Sequence, residues 1–236
     1  MITRELILAI CPKHPAPVIA ASRIQAACIR FGIITPRQVA MFLGQIAHES
    51  GLVPAEENLN YRAARIAQVW PSRFPTVQAA LPFAFNPQAL ANKVYGGRGG
   101  NDLLNMGWLY HGRGPIQLTF FENYKKHGER IGQNLIGHPE LLLEYGVGFL
   151  AAGSYWNLAG LNGASDRGDV RTVTRAINGG LIGLDDRERL YQRALLAERH
   201  GVMNDVDLKL NVVVDAAADL DARATEVERV LGLLAS

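Results

Sequence analysis

Two glutamates eight residues apart, Glu49 and Glu57, are the side chains in this sequence best suited to chemistry on a shared substrate. Paired carboxyl groups in unlike surroundings can divide a hydrolysis between them, one donating a proton as general acid and the other taking one from water as general base. The segment that carries them, residues 35–61, reads TPRQVAMFLGQIAHESGLVPAEENLNY. Glu56 stands beside Glu57 and could play the same part. On spacing alone, glutamates at this distance are more often ordinary surface acids.

The helix that must position Glu49 is marked at both ends. Thr35 can accept a backbone hydrogen bond as N-cap, Pro36 suits the first helical position, and Gln38 completes a Thr-x-x-Gln capping box. Ser50-Gly51 marks the end. Between them Val39, Phe42, Leu43 and Ile46 recur at the i, i+3, i+4, i+7 spacing of one buried face. At ~100° per residue, Glu49 falls on the shoulder of that face rather than opposite it. Partial burial and the negative end of the helix dipole both disfavour a further anion there, as a general acid requires near neutral pH. Gly51 and Pro54 then keep the helix from simply continuing, so Glu57 can face Glu49 across a cleft.

A second stretch has chemical potential: YGGRGGNDLLNMGWLYHGRGPIQLT, residues 95–119. It holds neither a GxGxxG after a strand nor a GxxxxGK[ST], so it does not read as a phosphate-cradling loop. Its glycines permit tight turns at the floor of a groove, and Trp108 and Tyr110 offer faces for a sugar ring, the alternative being that both aromatics are core. The segment PIQLT, residues 115–119, is short and β-like; if extended, it points Gln117 and Thr119 to one side.

The rest of the chain must hold these groups. Helical periodicity and breakers predict helices over 3–10, 18–31, 36–50, 61–70, 87–96, 121–132, 139–158, 170–177 and 185–200. The class expected is mainly α, with at most a small β element. With 236 residues, 48% hydrophobic and 19% charged, the chain suits one globular domain, here taken as residues 1–203, followed by a C-terminal extension over 204–236. In that extension Val206, Leu208, Leu210 and Val212 alternate like a strand, and Leu220, Ala224, Val227, Leu231 and Leu234 follow heptad-like spacing. It reads as an amphipathic helix packed on the body of a monomer, with self-association through it as the alternative.

Composition narrows the partners. A formal charge of +2 is too small to argue for nucleic acid. Residues 204–236 carry three basic and seven acidic side chains, net −4, which leaves +6 for residues 1–203, a mildly basic body suited to an anionic polymer. No apolar run reaches the ~18 residues of a membrane span, and the acidic tail does not suit membrane disruption, so no stable membrane insertion is expected. Glu5 interrupts the basic end of the N-terminal apolar run and Pro12 cuts it, so it does not read as a signal peptide, and the product is expected in the cytoplasm where it is made. Cys11 and Cys28 are expected to be reduced, no His or Cys spacing resembles a metal site, and no cofactor is expected.

His48-Glu49-Ser50, then Glu57-Asn58-Leu59-Asn60-Tyr61, then Gly112-Arg113-Gly114-Pro115-Ile116-Gln117-Leu118-Thr119, Asn123-Tyr124 and Ile177-Asn178-Gly179-Gly180 follow one another in an order that resembles the chitinase-like glycoside hydrolases of family 19. Within that family the chain is similar to the lytic enzymes of bacteriophages and prophages, the endolysins, over roughly residues 17–203. The resemblance implies a lysozyme-like, chitinase-like helical domain with a cleft. It implies Glu49 as general acid, Glu57 as general base, and Thr119 as the residue that helps hold the attacking water. It further implies substrate-binding or cleft-organising roles for Gln117, Asn123 and Asn178, and makes Arg187 an arginine of the carboxylate network. The gap between HES and ENLNY, a residue shorter than in the phage group, leaves Glu56 open as the base.

Cleft-lengthening loops of the plant chitinases are absent, which points toward peptidoglycan over chitin. The implied activity is muramidase-like cleavage of β-1,4 bonds in the glycan strand, with inversion, serving host lysis. The enzyme would reach the wall after release through a separate membrane-permeabilising factor. A true chitinase and a non-catalytic cell-wall-binding module are the alternatives. Inversion needs room for water between the acids, a carboxyl separation of ~6.5 to 9.5 Å. Which sugar carries the new reducing end, muramidase or glucosaminidase, and which bacterial species is the target are not legible in the sequence.

Overall fold

Local capping chemistry sets where the helices begin. In the computed structural model, which describes residues 1–198, helix α1 spans Arg4–Ile10 behind Thr3, whose hydroxyl accepts from the Leu6 N–H. Helices α2 (Pro17–Arg30) and α3 (Pro36–Ser50) both start at a proline. The capping box forms: Gln38 N–H donates to Thr35 Oγ1 at 3.1 Å and Thr35 N–H donates to Gln38 Oε1 at 3.3 Å. Gly51 ends α3 in the left-handed conformation, φ 62°. The chain continues through α4 (Ala63–Val69), α5 (Val77–Ala80), α6 (Pro87–Tyr95), α7 (Met106–Leu109), α8 (Phe121–Ile131), α9 (Tyr145–Leu158), α10 (Asn162–Asp166) and α11 (Val170–Asn178), and the described residues end in a helix, α12, over 184–198.

The fold is mainly helical, as its sequence predicts. Three short helices, α5, α7 and α10, escape the periodicity because four or five residues do not complete a repeat. The predicted helix over 139–158 is two: a 3-10 turn, Pro139–Leu143, and α9, separated by Glu144 in extended conformation. Among the described residues, β structure is limited to two isolated bridges, Glu56 with Arg113 and Arg113 with Leu118. The PIQLT reading is corrected here. Arg113 and Leu118 exchange both backbone hydrogen bonds, at 3.1 and 2.8 Å, around a tight turn in which Gln117 takes φ 54°. Gln117 and Thr119 are therefore not alternate members of an extended strand.

Chain contacts divide the protein into two units, Met1–Leu195 and Leu196–Ser236. The reading of 204–236 as an amphipathic extension lies outside the described residues. Within the first unit, α3 is the central element. Every residue from Gln38 to Ala47 is buried, so the helix is enclosed on all sides rather than along the single stripe its apolar spacing suggests. Phe42 meets Trp156 of α9 edge to face, with ring centroids 5.2 Å apart. Gly44 allows α12 to cross in near backbone contact: a Cβ there would lie 2.7 Å from the Tyr191 nitrogen. That crossing brings the start of α12 alongside the end of α3. At the other end of α3, Asp166 of α10 accepts from Thr35 Oγ1 and Gln38 Nε2, at 2.6 and 2.8 Å.

Packing of α8 on α9 buries a histidine. His127 is 2% exposed, with Nδ1 2.9 Å from Ser154 Oγ, and desolvation lowers its pKa to about 4. The unfolded chain binds this proton near pH 6.5 and the folded chain resists it, so the stabilisation is fully present above that pH. It is lost as pH falls toward 4, a change of about 3 kcal/mol. Urea denaturation at pH 7.5 and pH 4.5 is expected to show this loss, and His127→Gln to flatten it. An unchanged pH slope in the variant would assign the effect to other groups.

Candidate active site

Glu49 occupies the last turn of α3, partly buried with its side chain 21% exposed. Arg187 of α12 reaches it: Nη2 donates to Glu49 Oε1 at 2.5 Å. The same guanidinium donates through Nη1 to Gln45 Oε1 at 2.8 Å and through Nε to the Ile182 carbonyl at 3.2 Å. Gln45 in turn donates to Thr174 Oγ1 of α11 at 3.2 Å. Arg187 is 1% exposed, so its charge is compensated by these partners rather than by water. One turn-to-turn contact away, His48 Nδ1 lies 2.6 Å from Asp186 Oδ2. Gly183, at φ 74°, is seated so closely against the His48 ring that a Cβ would overlap it. Two adjacent side chains of α3, His48 and Glu49, are thus held by two adjacent side chains of α12. The sequence placed Glu49 where burial and the helix dipole oppose charge; the tertiary fold adds a cation beside it.

Glu57 and Glu56 go to different partners. Glu56 is the more exposed, its side chain at 43%, and its Oε1 accepts from Arg113 Nε at 2.8 Å. His111 Nε2 is 3.0 Å from the same oxygen but lacks the geometry of a hydrogen bond and has no other partner. Arg113 is otherwise a structural cation, donating to the Leu109 carbonyl and to Tyr124 Oη. Glu57 faces the glycine-rich segment instead. Its backbone N–H donates to the Gly112 carbonyl at 2.8 Å, and Tyr95 Oη of α6 lies 2.7 and 2.8 Å from its two carboxyl oxygens. The Gly112 N–H approaches Oε2 at 3.4 Å. Burial pushes the Glu57 pKa up, against these donors, which pull it down.

Gly112 is the floor of this region. A Cβ on it would meet Gln117 Oε1 at 2.9 Å and Glu57 Oε2 at 3.3 Å, so only glycine lets both polar groups converge. Gln117 spends its amide on the Ala55 and Gly114 carbonyls, at 2.9 and 3.0 Å, and so organises the cleft wall. Thr119 Oγ1 donates to the Gln117 carbonyl at 3.0 Å, and Asn123 Nδ2 to the Thr119 carbonyl at 2.9 Å. Gln117, Thr119 and Asn123 line one cavity whose opposite wall includes Tyr155 of α9 and Ile177 of α11. The charge of Glu49 acts on Tyr155, raising its pKa after the larger effect of burial. Asn178 is exposed at the end of α11, directly after Ile177.

Of the two aromatics offered to a sugar, Tyr110 takes the core alternative and Trp108 is only partly buried. Tyr110 is core: its ring packs against Phe121 and Tyr124 and its hydroxyl donates to the Ile136 carbonyl. Trp108 is partly buried against the α4–α6 cluster, with a ring face stacked on His111 at 4.6 Å. Gly107 lets α7 approach the α6 backbone, where a Cβ would lie 2.7 Å from the Ala91 carbonyl oxygen. Sequence reading missed Tyr95 and Gln45. Tyr95 ends α6 38 positions from Glu57, with nothing local to link the two, and Gln45 is a polar residue on the largely apolar α3, the one signal that pointed to it.

The profile described as chitinase class I, of glycoside hydrolase family 19, matches residues 75–172. A glycosyl hydrolase family 19 domain-containing protein of Haemophilus influenzae is 34% identical over 183 residues, covering 74% of this chain and 87% of that protein. An Arabidopsis thaliana endochitinase is 31% identical over 150 residues, of which this chain spans 41% of the length. Chitinase C from Streptomyces griseus HUT6037 has a similar fold, with a TM-score of 0.56 at 21% identity over 83% of this chain and 76% of that one. A bacterial family 19 chitinase aligns with a TM-score of 0.52 at 22% identity over 82% of this chain and 94% of that one.

Proposed function

Because the chain belongs to glycoside hydrolase family 19 and is a glycosidase of that family, we propose that it cleaves the β-1,4 bonds of bacterial peptidoglycan as an endolysin. Glu49 is the general acid that protonates the glycosidic oxygen. Glu57 is the general base that takes a proton from a water on the opposite face of the sugar, and Thr119 helps to hold that water. Inversion of configuration follows from the intervening water. The observation that supports this pairing is that the two carboxylates have unlike partners. Both oxygens of Glu57 face a hydroxyl donor and one also faces a backbone N–H, donors that favour its ionised form against the burial that raises its pKa. Glu49 has Oε1 bound by the Arg187 guanidinium. Glu56, paired with Arg113, is already committed.

For the substrate, the supporting observation is charge. The +6 of residues 1–203 suits the anionic wall polymer better than neutral chitin. In this reading the enzyme works at the cell wall after a separate factor has permeabilised the membrane. Mass spectrometry of products from purified peptidoglycan and from chitin oligomers tests it. Disaccharide-peptide fragments from peptidoglycan are expected, and their reducing sugar identifies a muramidase or a glucosaminidase. Cleavage of chitin oligomers alone would make the protein a chitinase, and binding without cleavage a wall-binding module.

A further inference from the structure

We infer that Tyr95 is the positioning residue for Glu57, holding it ionised and aimed at the attacking water, so that this tyrosine sets the acidic limb of the pH–rate profile. The inference rests on Glu57 being the base.

The geometry is specific. The Tyr95 hydroxyl lies 2.7 and 2.8 Å from the two carboxyl oxygens, and an ionised carboxylate is the better acceptor for it at both. The hydroxyl is rigidly placed. Asn101 Nδ2 donates to the Tyr95 carbonyl at 3.1 Å, fixing the end of α6, and the Tyr95 ring meets Phe120 edge to face at 5.7 Å. The helix itself is tied to α7 by Asn92, whose Oδ1 accepts from the Trp108 N–H at 2.8 Å. A carboxylate in this partly buried place would otherwise protonate readily, because burial penalises its charge. The hydroxyl opposes that penalty at the oxygens that must receive the proton. It also remains a donor: burial first, and then the Glu57 charge, push the Tyr95 pKa well above its ordinary value.

The neighbouring ionisable groups act more weakly and from further away. Tyr61 and Arg98 act on the Tyr95 hydroxyl in opposite directions, and Glu57 is felt by Tyr124, whose hydroxyl donates to the His111 carbonyl rather than to the carboxylate. Glu56 and Arg113 compensate each other one residue away. The backbone N–H of Gly112, at 3.4 Å, is the other donor on Glu57 and cannot be removed by a side-chain change.

The test is Tyr95→Phe, which removes one oxygen and keeps the ring against Phe120. On glycan strands cleaved by the parent enzyme, kcat is expected to fall about tenfold at the acidic end and to converge with the parent at higher pH, the limb moving up by about one unit. KM should be nearly unchanged, since Tyr95 acts through Glu57. A uniform loss of kcat at all pH values, with the limb unmoved, would reduce Tyr95 to a structural contact and overturn the inference. Site-specific fluorotyrosine at position 95 preserves ring and hydroxyl should the phenylalanine variant fold poorly. As a stronger donor it is expected to move the limb down, and an unmoved limb would again overturn the inference. Glu57→Gln separates the two levels. Full activity in that variant removes the base assignment itself, whereas an inactive Glu57→Gln with unmoved limbs in both Tyr95 variants removes only the role of Tyr95.

Discussion

Glu49→Gln is expected to lower the rate of polymer cleavage by about 10² to 10⁴-fold, the range that loss of a positioned general acid produces. The substitution preserves the shape of the side chain and an oxygen that can still accept from Arg187 Nη2, so the fold should persist, while loss of the negative charge beside that buried guanidinium lowers the thermal midpoint. The chemistry gives a sharper check than activity loss. A glycan with an activated aryl leaving group needs no proton to depart, so the variant should retain much of its rate on that substrate while failing on the natural one. Azide should not rescue it, because azide replaces a water activated by the base. Rescue by azide, with no recovery on the activated substrate, would exchange the roles of Glu49 and Glu57. Normal activity on the polymer would remove Glu49 from the mechanism.

Arg187→Leu should be the most destabilising single change near the site. The guanidinium holds three acceptors from two other elements, and removal leaves Gln45 Oε1 buried without its donor and Glu49 without its counter-charge. Breaking a buried ion pair from one side costs about 3 kcal/mol or more, which for a chain of this size lowers the midpoint by roughly 6 to 12 °C. Lysine is expected to recover part of the stability but little activity, because an ammonium cannot reach Gln45, Glu49 and the Ile182 carbonyl in one plane. Differential scanning calorimetry on both variants decides the matter. A midpoint within about 2 °C of the parent for the leucine variant would mean that water replaces the arginine, contrary to its burial.

Much of the framework was legible because it is local. A cap is a hydrogen bond between residues three positions apart, so Thr35, Pro36, Gln38 and Gly51 defined α3 within the sequence itself, and Asn86-Pro87 opened α6 in the same way. The order of the HES, ENLNY and GRGPIQLT segments carried the family and, with it, the chemistry expected of the two glutamates. Local reading failed where conformation depended on distant packing. The β-like PIQLT pattern predicts a strand through Gln117, yet its left-handed backbone belongs to the Arg113–Leu118 turn, held by amide contacts to Ala55 and Gly114. Residue type suits Tyr110 to stacking on a sugar, but packing against Phe121 and Tyr124 of α8 makes it a core residue.

Capping chemistry and residue periodicity already specify the ends of α3 and the helical class, and residue type supplies the acids. The tertiary structure alone decided their surroundings. Arg187 lies 138 positions from Glu49 and reaches it because Gly44 lets α12 cross α3 almost backbone to backbone. Tyr95 lies 38 positions from Glu57, and the adjacent Glu56 is drawn to Arg113 instead. Electrostatic environment is set by distance in space, which chain separation does not report, so two neighbouring glutamates of identical chemistry acquire different partners only when the chain has folded.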